Sequence, residues 1–441
     1  MDRSVRAVLL GTFTLRLSTG LTGSLLVFYL ARLHELAPGT PEVRSLVLGV
    51  FTALFFAAEL VLAPPFGLLS DRYGHHRVMQ VGPIFGFVAA LATWASTHLV
   101  VIGATRILEG GSTAASVPSI LGFLAMASAG DELLRGRVSA RFEGATLAGL
   151  GVGFATGGIL WDLFHREAFL VNGVVYVLSF IIYRYGVHEP AEAARLRSEP
   201  HPGLVRYLEI LSQGHVWLLA PTWIALNAAL GLFTSQALFQ VVRRPSPRFA
   251  DQVLMGGFDG AQVSAAFAVG LVVFLAGMLF WGERFRGLRR TTIILYGLAG
   301  GGLVVAAAAL LNHSRSIGEG LGVLVGGANL ALLVQVPAVL GILAGLFVLA
   351  GATPAALGLL ADITEGFPAD RGAIMGLYSV FFAIGQSGGS LVGGLAADRA
   401  GFDGILVAAA LLMLLALLPL WRLRGYEHLA ARGTAGQVEL V

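Results

Sequence analysis

The chain has 441 residues, 56% of them hydrophobic and 12% charged, with a formal net charge of +3. A soluble protein of this length carries roughly twice that charged fraction, so a soluble enzyme held by a single anchor is excluded. Cysteine is absent, which removes disulfides, thiol catalysis and thiolate metal sites, and all 29 basic residues are arginine.

Apolar runs of about 20 residues recur from end to end, the length that crosses a hydrocarbon core of about 30 Å. The basic start Met-Asp-Arg-Ser-Val-Arg resembles a signal peptide. No small-residue cleavage site follows, however, and the apolar run continues past Arg16 to Ala31, so it reads as the first spanning helix. Hydropathy predicts spans at about 6–32, 45–68, 76–96, 98–128, 138–162 and 168–186, then at about 214–240, 257–282, 289–311, 336–361, 371–396 and 403–422.

The expected organisation is an N-terminal six-helix bundle over 1–186, a polar cytoplasmic linker over 187–213, a C-terminal six-helix bundle over 214–424 and a cytoplasmic tail over 425–441. Twelve spans put both termini on one side. With the termini in the cytoplasm, 19 Arg fall on cytoplasmic segments, 8 outside and 2 within spans. The positive-inside rule selects that orientation. The expectation is therefore an all-α polytopic protein of the plasma (inner) membrane, multi-pass, with both termini cytoplasmic.

Between the second and third spans lies a charged hairpin, Gly-Leu-Leu-Ser-Asp-Arg-Tyr-Gly-His-His-Arg from Gly67 to Arg77. Gly67 and Gly74 permit close approach and a tight turn. Asp71 can pair with Arg72 or Arg77, or accept hydrogen bonds from a neighbouring helix N-terminus.

The chain also repeats itself. A shift of 236 residues aligns Pro118 with Pro354, Gly122 with Gly358, Arg135-Gly136 with Arg371-Gly372 and Asp162 with Asp398. The same shift aligns Gly149, Gly153, Gly157 and Gly158 with Gly385, Gly389, Gly393 and Gly394. Gly74 and Arg77 match Gly287 and Arg290 at a shift of 213. The 23-residue difference implies an insertion within the external stretch Asn312–Gln335, read as a re-entrant or interfacial segment or an extension of a neighbouring helix.

Parallel repeats about an axis along the membrane normal are an architecture of rocking transporters. At this point the chain resembles the major facilitator superfamily, over essentially its whole length. Gly67, Asp71, Arg72, Gly74 and Arg77 match that family's signature between helices 2 and 3, with His75 and His76 where basic residues are usual. A degraded copy, Gly-Glu-Arg-Phe-Arg-Gly-Leu-Arg-Arg over 282–290, sits between helices 8 and 9. Arg106 with Gly110 looks like the second motif. Gly149, Gly153, Gly157 and Gly158 are similar to the motif of proton-coupled drug exporters, with Phe154 in place of its Pro. The resemblance implies two pseudo-symmetric bundles and a conformational latch at the hairpin that holds the outward-facing form.

Four ionisable side chains lie well inside spans, all in the first half. Arg16 is ten residues past Arg6, about 15 Å in, and Glu59 is eight before Gly67, about 12 Å in, at 1.5 Å per residue. Arg106 and Glu109 share a face of the fourth helix. Each charge costs roughly 2.5–3.5 kcal/mol at mid-membrane, so pairing of Arg16 with Glu59 and of Arg106 with Glu109 is the simplest solution, with cross-pairing an alternative. Burial and an Arg partner act on such a carboxylate in opposite senses, so separating the pair changes its protonation. Glu59 or Glu109 is thus the candidate proton carrier, and a fixed ion pair the structural alternative.

The second half offers Asn227, Gln236, Tyr378 and Gln386 amid apolar residues, either as a substrate wall or as interhelical hydrogen-bonding groups. Gly149, Gly153, Gly157, Gly158, Gly385 and Gly389 allow helices to cross closely, between the halves or within one.

Gly385-Gln386-Ser387-Gly388-Gly389 spells a hydrolase elbow but lies in a span rather than at a strand–turn–helix. Asn312-His313-Ser314 is a glycosylation sequon without a secretory context. Phosphate-binding loops and metal-ligand spacings are absent from the sequence, so neither cofactor nor metal is expected, and the chain is read as no enzyme. The expected function is alternating-access, proton-coupled efflux of lipophilic or amphipathic small molecules by a monomer, with protons and the bilayer as partners and no nucleic acid. Transport of a defined metabolite such as a sugar or organic acid, and lipid flipping, are the alternatives.

Overall fold

A computed structural model describes residues 3–40, 42–128, 132–188, 220–284, 288–324, 330–365 and 371–431. Among them, ten helical stretches are long and apolar enough to cross a membrane. Two of these are double. Arg137–Gly186 is interrupted by a 3-10 turn at His165–Glu167, and Val380–Gly425 by non-helical backbone at Ala400 and Gly401. Counting both parts of each gives the twelve expected crossings. The protein is an all-helical, multi-pass membrane protein.

The contacts divide it into two units, Met1–His201 with Phe258–Ala268, and Pro202–Gly257 with Val269–Val441. The first holds α1 (Arg3–Ala31), α2 (Ser45–Tyr73), α3 (Val81–Ala95), α4 (Leu99–Ala127), α5 (Glu132–Phe164) and α6 (Ala168–Gly186). α1 packs on α5 and α6, α2 on α4, and α3 on α4 and α6. Val8, Leu15, Phe123, Tyr176 and Tyr183 form the centre of its apolar core.

α1 carries many hydroxyls, and several of them are satisfied within the helix. Thr12 donates to the Val8 carbonyl at 2.8 Å, Thr19 to Leu15 at 3.0 Å and Thr22 to Ser18 at 3.1 Å, as polar groups in lipid require. The first turns of α8 (Gly260–Glu283) also belong to this unit. Asp162 of α5 accepts from the Gly260 amide at 3.1 Å and the Ala261 amide at 2.7 Å. It therefore caps two of the amides that a helix start leaves without an intrahelical partner.

The second unit contains α7 (Ala220–Val242), the remainder of α8, α9 (Arg290–Asn312), α10 (Ser314–Leu324), α11 (Ala331–Leu349), α12 (Ala352–Glu365) and α13 (Arg371–Ala431). α7 lies along α13, and α9 packs on α11, α12 and α13. Trp223, Leu226, Ile293, Ile294 and Phe381 centre its core. At the kink of α13 the Gln252 side-chain oxygen accepts from the Phe402 amide at 2.7 Å, while its Nε2 donates to the Ala400 carbonyl at 3.0 Å. Asp403 accepts from Asn312 at 2.8 Å and lies 3.0 Å from His313 Nε2. This ties the 243–257 loop to the end of α9 and the kink of α13.

One expectation changes here, and another is narrowed. The span expected at 336–361 is two helices, α11 and α12, broken at Ala350–Gly351. Pro354 has no N–H for the Ala350 carbonyl, and the Trp281 ring occupies the space a Cβ at Gly351 would fill. The 312–335 insertion contains the separate 11-residue helix α10, about 16 Å long at 1.5 Å per residue. That is too short for a crossing. The expected linker 187–213, from 189 on, and the tail from 432 lie outside the described residues.

Candidate functional site

The hairpin begins where α2 stops. Gly74 has φ 103°, a left-handed conformation that glycine adopts without a Cβ clash, and its amide closes the last turn on Ser70 O at 2.9 Å. Beyond it His75 turns inward and is buried, with Nδ1 3.1 Å from Ser70 Oγ and Nε2 3.9 Å from Asp71 Oδ1. His76 Nε2 reaches the Tyr183 carbonyl at 3.1 Å. Arg72 and Arg77 are exposed, and Arg72 lies over the Tyr73 ring. The neighbour of Asp71 is thus a histidine, and both arginines point into solvent at the membrane face. Gly67 lies against Pro118.

The His75 ring fills the space over Gly122, and in the second unit the Arg290 guanidinium fills the space over Gly358. The aligned glycines of the two halves therefore serve the same local purpose: each lets a loop residue fold down onto a helix.

Inside the first unit Arg106 and Glu109 form a buried ion pair on α4. Arg106 also lies over the Phe55 ring, with its guanidinium carbon 5.1 Å from the centroid. Gly110 lets α4 press against the α2 backbone at Phe55 and Glu59, which sets Glu59 one turn along from that ring. One oxygen of Glu109 (Oε1) and the Nε of Arg106 are buried without hydrogen-bond partners. The pair thus keeps a free acceptor and a free donor.

Arg16 sits where α1 crosses α5, its Cβ in contact with Gly149. Its charge acts on two carboxylates, Glu59 and Glu143. Glu143 lies near the start of α5, and nothing in a single sequence marks it as a neighbour of Arg16. A polar layer continues the site. The Tyr176 hydroxyl lies near the Thr22 and Thr19 side chains and near the charges of Glu109 and Arg106. Asn172 donates to Thr22 Oγ1 at 2.7 Å and to the Ser18 carbonyl at 3.2 Å.

The polar residues of the second half are placed mainly along the α7–α13 contact. Asn227 and Gln236 are buried on α7, Gln236 within a π-helical stretch, Phe233–Ala237. Asn227 donates to the Trp223 carbonyl at 2.8 Å, and Gln236 donates to the Ser390 carbonyl of α13 at 3.3 Å. Gln386 of α13 packs on Gly231 of α7. The Tyr378 side chain lies outside the described residues.

Within each unit the glycine ladder faces a neighbouring helix. Gly149, Gly153 and Gly157 lie on α1, and Gly385 and Gly389 on the α7 backbone. Gly158 faces Gly260, also in the first unit. Phe154, which stands where the exporter motif has Pro, stacks on Phe267 at 6.0 Å.

Residues 8–338 match the family model described as Major Facilitator Superfamily. The chain belongs to the major facilitator superfamily. That superfamily is one of transporters, not of enzymes.

Among curated members, it is 21% identical over 271 residues to the quinolone resistance protein NorA of Staphylococcus aureus (strain MSSA476), a match covering 60% of this chain and 65% of that protein. For NorA of strain MRSA252 the match is 23% over 195 residues, covering 44% of this chain and 47% of the relative. The chain thus spans less than two-thirds of these relatives' length. The lysophospholipid transporter LplT of Klebsiella pneumoniae (strain 342) is 26% identical over 345 residues, 70% of this chain and 82% of that protein.

Proteins of known structure share the fold at low identity. The nucleoside transporter NupG matches with TM-score 0.69 and 11% identity over 96% of this chain and 99% of that one. The human organic anion transporter MFSD10 (TETRAN) matches with TM-score 0.60 and 19% identity over 95% and 98%.

Proposed function

We propose that this superfamily member exports lipophilic or amphipathic small molecules across the plasma (inner) membrane in exchange for protons, by alternating access, with both termini cytoplasmic. The observation that carries the reading is the buried Arg106–Glu109 pair, with one carboxylate oxygen and one guanidinium nitrogen left unpartnered. A fixed structural pair would be expected to use all its hydrogen-bonding capacity. A pair with capacity to spare can take a proton on the free carboxylate oxygen and release Arg106 to another partner, which couples protonation to a rearrangement of α2 and α4. Glu59, sharing Arg16 with Glu143, is the second candidate carrier. The hairpin Gly67, Asp71, Arg72, Gly74 and Arg77 is the proposed latch, with His75 as its inward-facing member. Asn227, Gln236, Gln386 and Tyr378 are the proposed cargo contacts of the second half, the first three reached by cargo when the α7–α13 contact that buries them opens. The likeness to NorA supports drug efflux, and the Arg excess on cytoplasmic segments supports the orientation.

A second reading is favoured by the likeness to LplT, which covers more of the chain than the NorA match: the cargo is a single-chain phospholipid. Purified protein in proteoliposomes with an imposed pH gradient separates the two. Uphill movement of lipophilic cations, collapsed by a protonophore, supports drug–proton exchange. Gradient-independent movement of labelled lysophospholipid, with cations unmoved, replaces it by the lipid reading.

A further inference from the structure

The short helix α10 and the start of α11 flank an open cavity of about 420 Å³ lined by Val253, Arg315, Ala331, Leu332 and Gln335. The two helices are held tightly, because Gly318 has no side chain to keep α10 off the Ala331 backbone. Gln335 Nε2 also donates to Ser314 Oγ at 3.1 Å, which fixes the amide at the cavity wall. Arg315 is exposed. Among the described residues no carboxylate pairs with it: Glu319, one turn along α10, makes no ion pair, and Asp251 is engaged by His313 at 3.6 Å. Directly beside the cavity, α11 presents Leu332 at 70% exposure, Leu333 at 67%, Val336 at 57% and Leu340 at 61%, a surface made for acyl chains.

We propose that this cavity binds the phosphodiester headgroup of an anionic phospholipid from the surrounding bilayer. A helix of 11 residues with one apolar side lies at the membrane boundary rather than through it, which puts Arg315 at headgroup depth. The planar guanidinium matches a phosphate in two-pronged fashion, and the remaining N–H of the Gln335 amide adds a neutral donor. The continuity of the cavity with the apolar face of α11 selects a lipid over a free anion, since the same molecule covers both. This site is independent of the cargo reading and rests on the membrane-spanning fold alone.

Native mass spectrometry of the full-length protein, titrated with phosphatidylglycerol and with phosphatidylcholine, tests it. The wild type is expected to retain phosphatidylglycerol about fivefold better, the preference one basic residue near an anionic surface supplies. Arg315→Gln brings the ratio close to one, and Arg315→Lys keeps part of it. Gln335→Leu, which leaves the charge intact, lowers retention and decides the matter should Arg315→Gln not fold. An undiminished preference in Arg315→Gln or, where that variant does not fold, undiminished phosphatidylglycerol retention in Gln335→Leu overturns the proposal. So does displacement of the lipid by inorganic phosphate at equal concentration, which would make this an anion site.

Discussion

Arg106 and Glu109 are three residues apart on α4, and helical spacing alone brings their side chains onto one face. That much could be read from the order of residues. Removing one partner strands the other charge in an apolar setting, which costs about 3–5 kcal/mol for buried pairs. Glu109→Gln and Arg106→Gln should each lower thermal stability in detergent markedly, and the double variant should be less destabilised than the two losses added. Additive losses would show that the pair does not interact.

What sequence could not supply is the identity of neighbours on other helices. Glu143 shares Arg16 with Glu59, and Asp162 caps the start of α8, because of how α5 packs rather than through local spacing. Asp162 contributes two hydrogen bonds to helix-start amides. Asp162→Ala should therefore destabilise by about 1–2 kcal/mol, with Asp162→Asn losing less. Equal stability of wild type and Asp162→Ala in thermal unfolding would contradict the cap.

At the level of elements, the glycine spacing on α5 and α13 announces close helix crossings, and the crossings are there. Their partners were not legible, since a small-residue stripe fits any neighbour; the structure places Gly149, Gly153 and Gly157 on α1, and Gly385 and Gly389 on α7. Adjacent positions make a sharp comparison. A Cβ at Gly389 would strike the Ala228 backbone, whereas one at Gly388 meets nothing within 4 Å. Gly388→Ala is expected to be neutral or stabilising by up to about 1 kcal/mol through helix propensity. Gly389→Ala should cost about 1–3 kcal/mol from overpacking. Equivalent melting temperatures for the two variants would refute the placement. The α11–α12 break escaped hydropathy for a different reason. Its cause, Pro354 following Gly351, lies inside an uninterrupted apolar run, and averaging over a window hides a single missing N–H.

For the whole molecule, membrane class, span number and internal duplication were legible because they depend on composition and on long periodic patterns. Cargo selectivity was not, because it resides in a few side chains whose partners are set by tertiary packing, as Asn227 and Gln236 illustrate. In the proposed mechanism a proton carried by a buried carboxylate of the first unit drives transport. Cargo exchange at equilibrium requires binding and rearrangement but no net proton movement, whereas uphill flux requires both. Comparing the two in proteoliposomes for Glu59→Gln and Glu109→Gln is the most direct test. At least one variant should lose uphill flux tenfold or more while retaining exchange. Full pH-driven accumulation in both would show that neither carboxylate carries the driving proton.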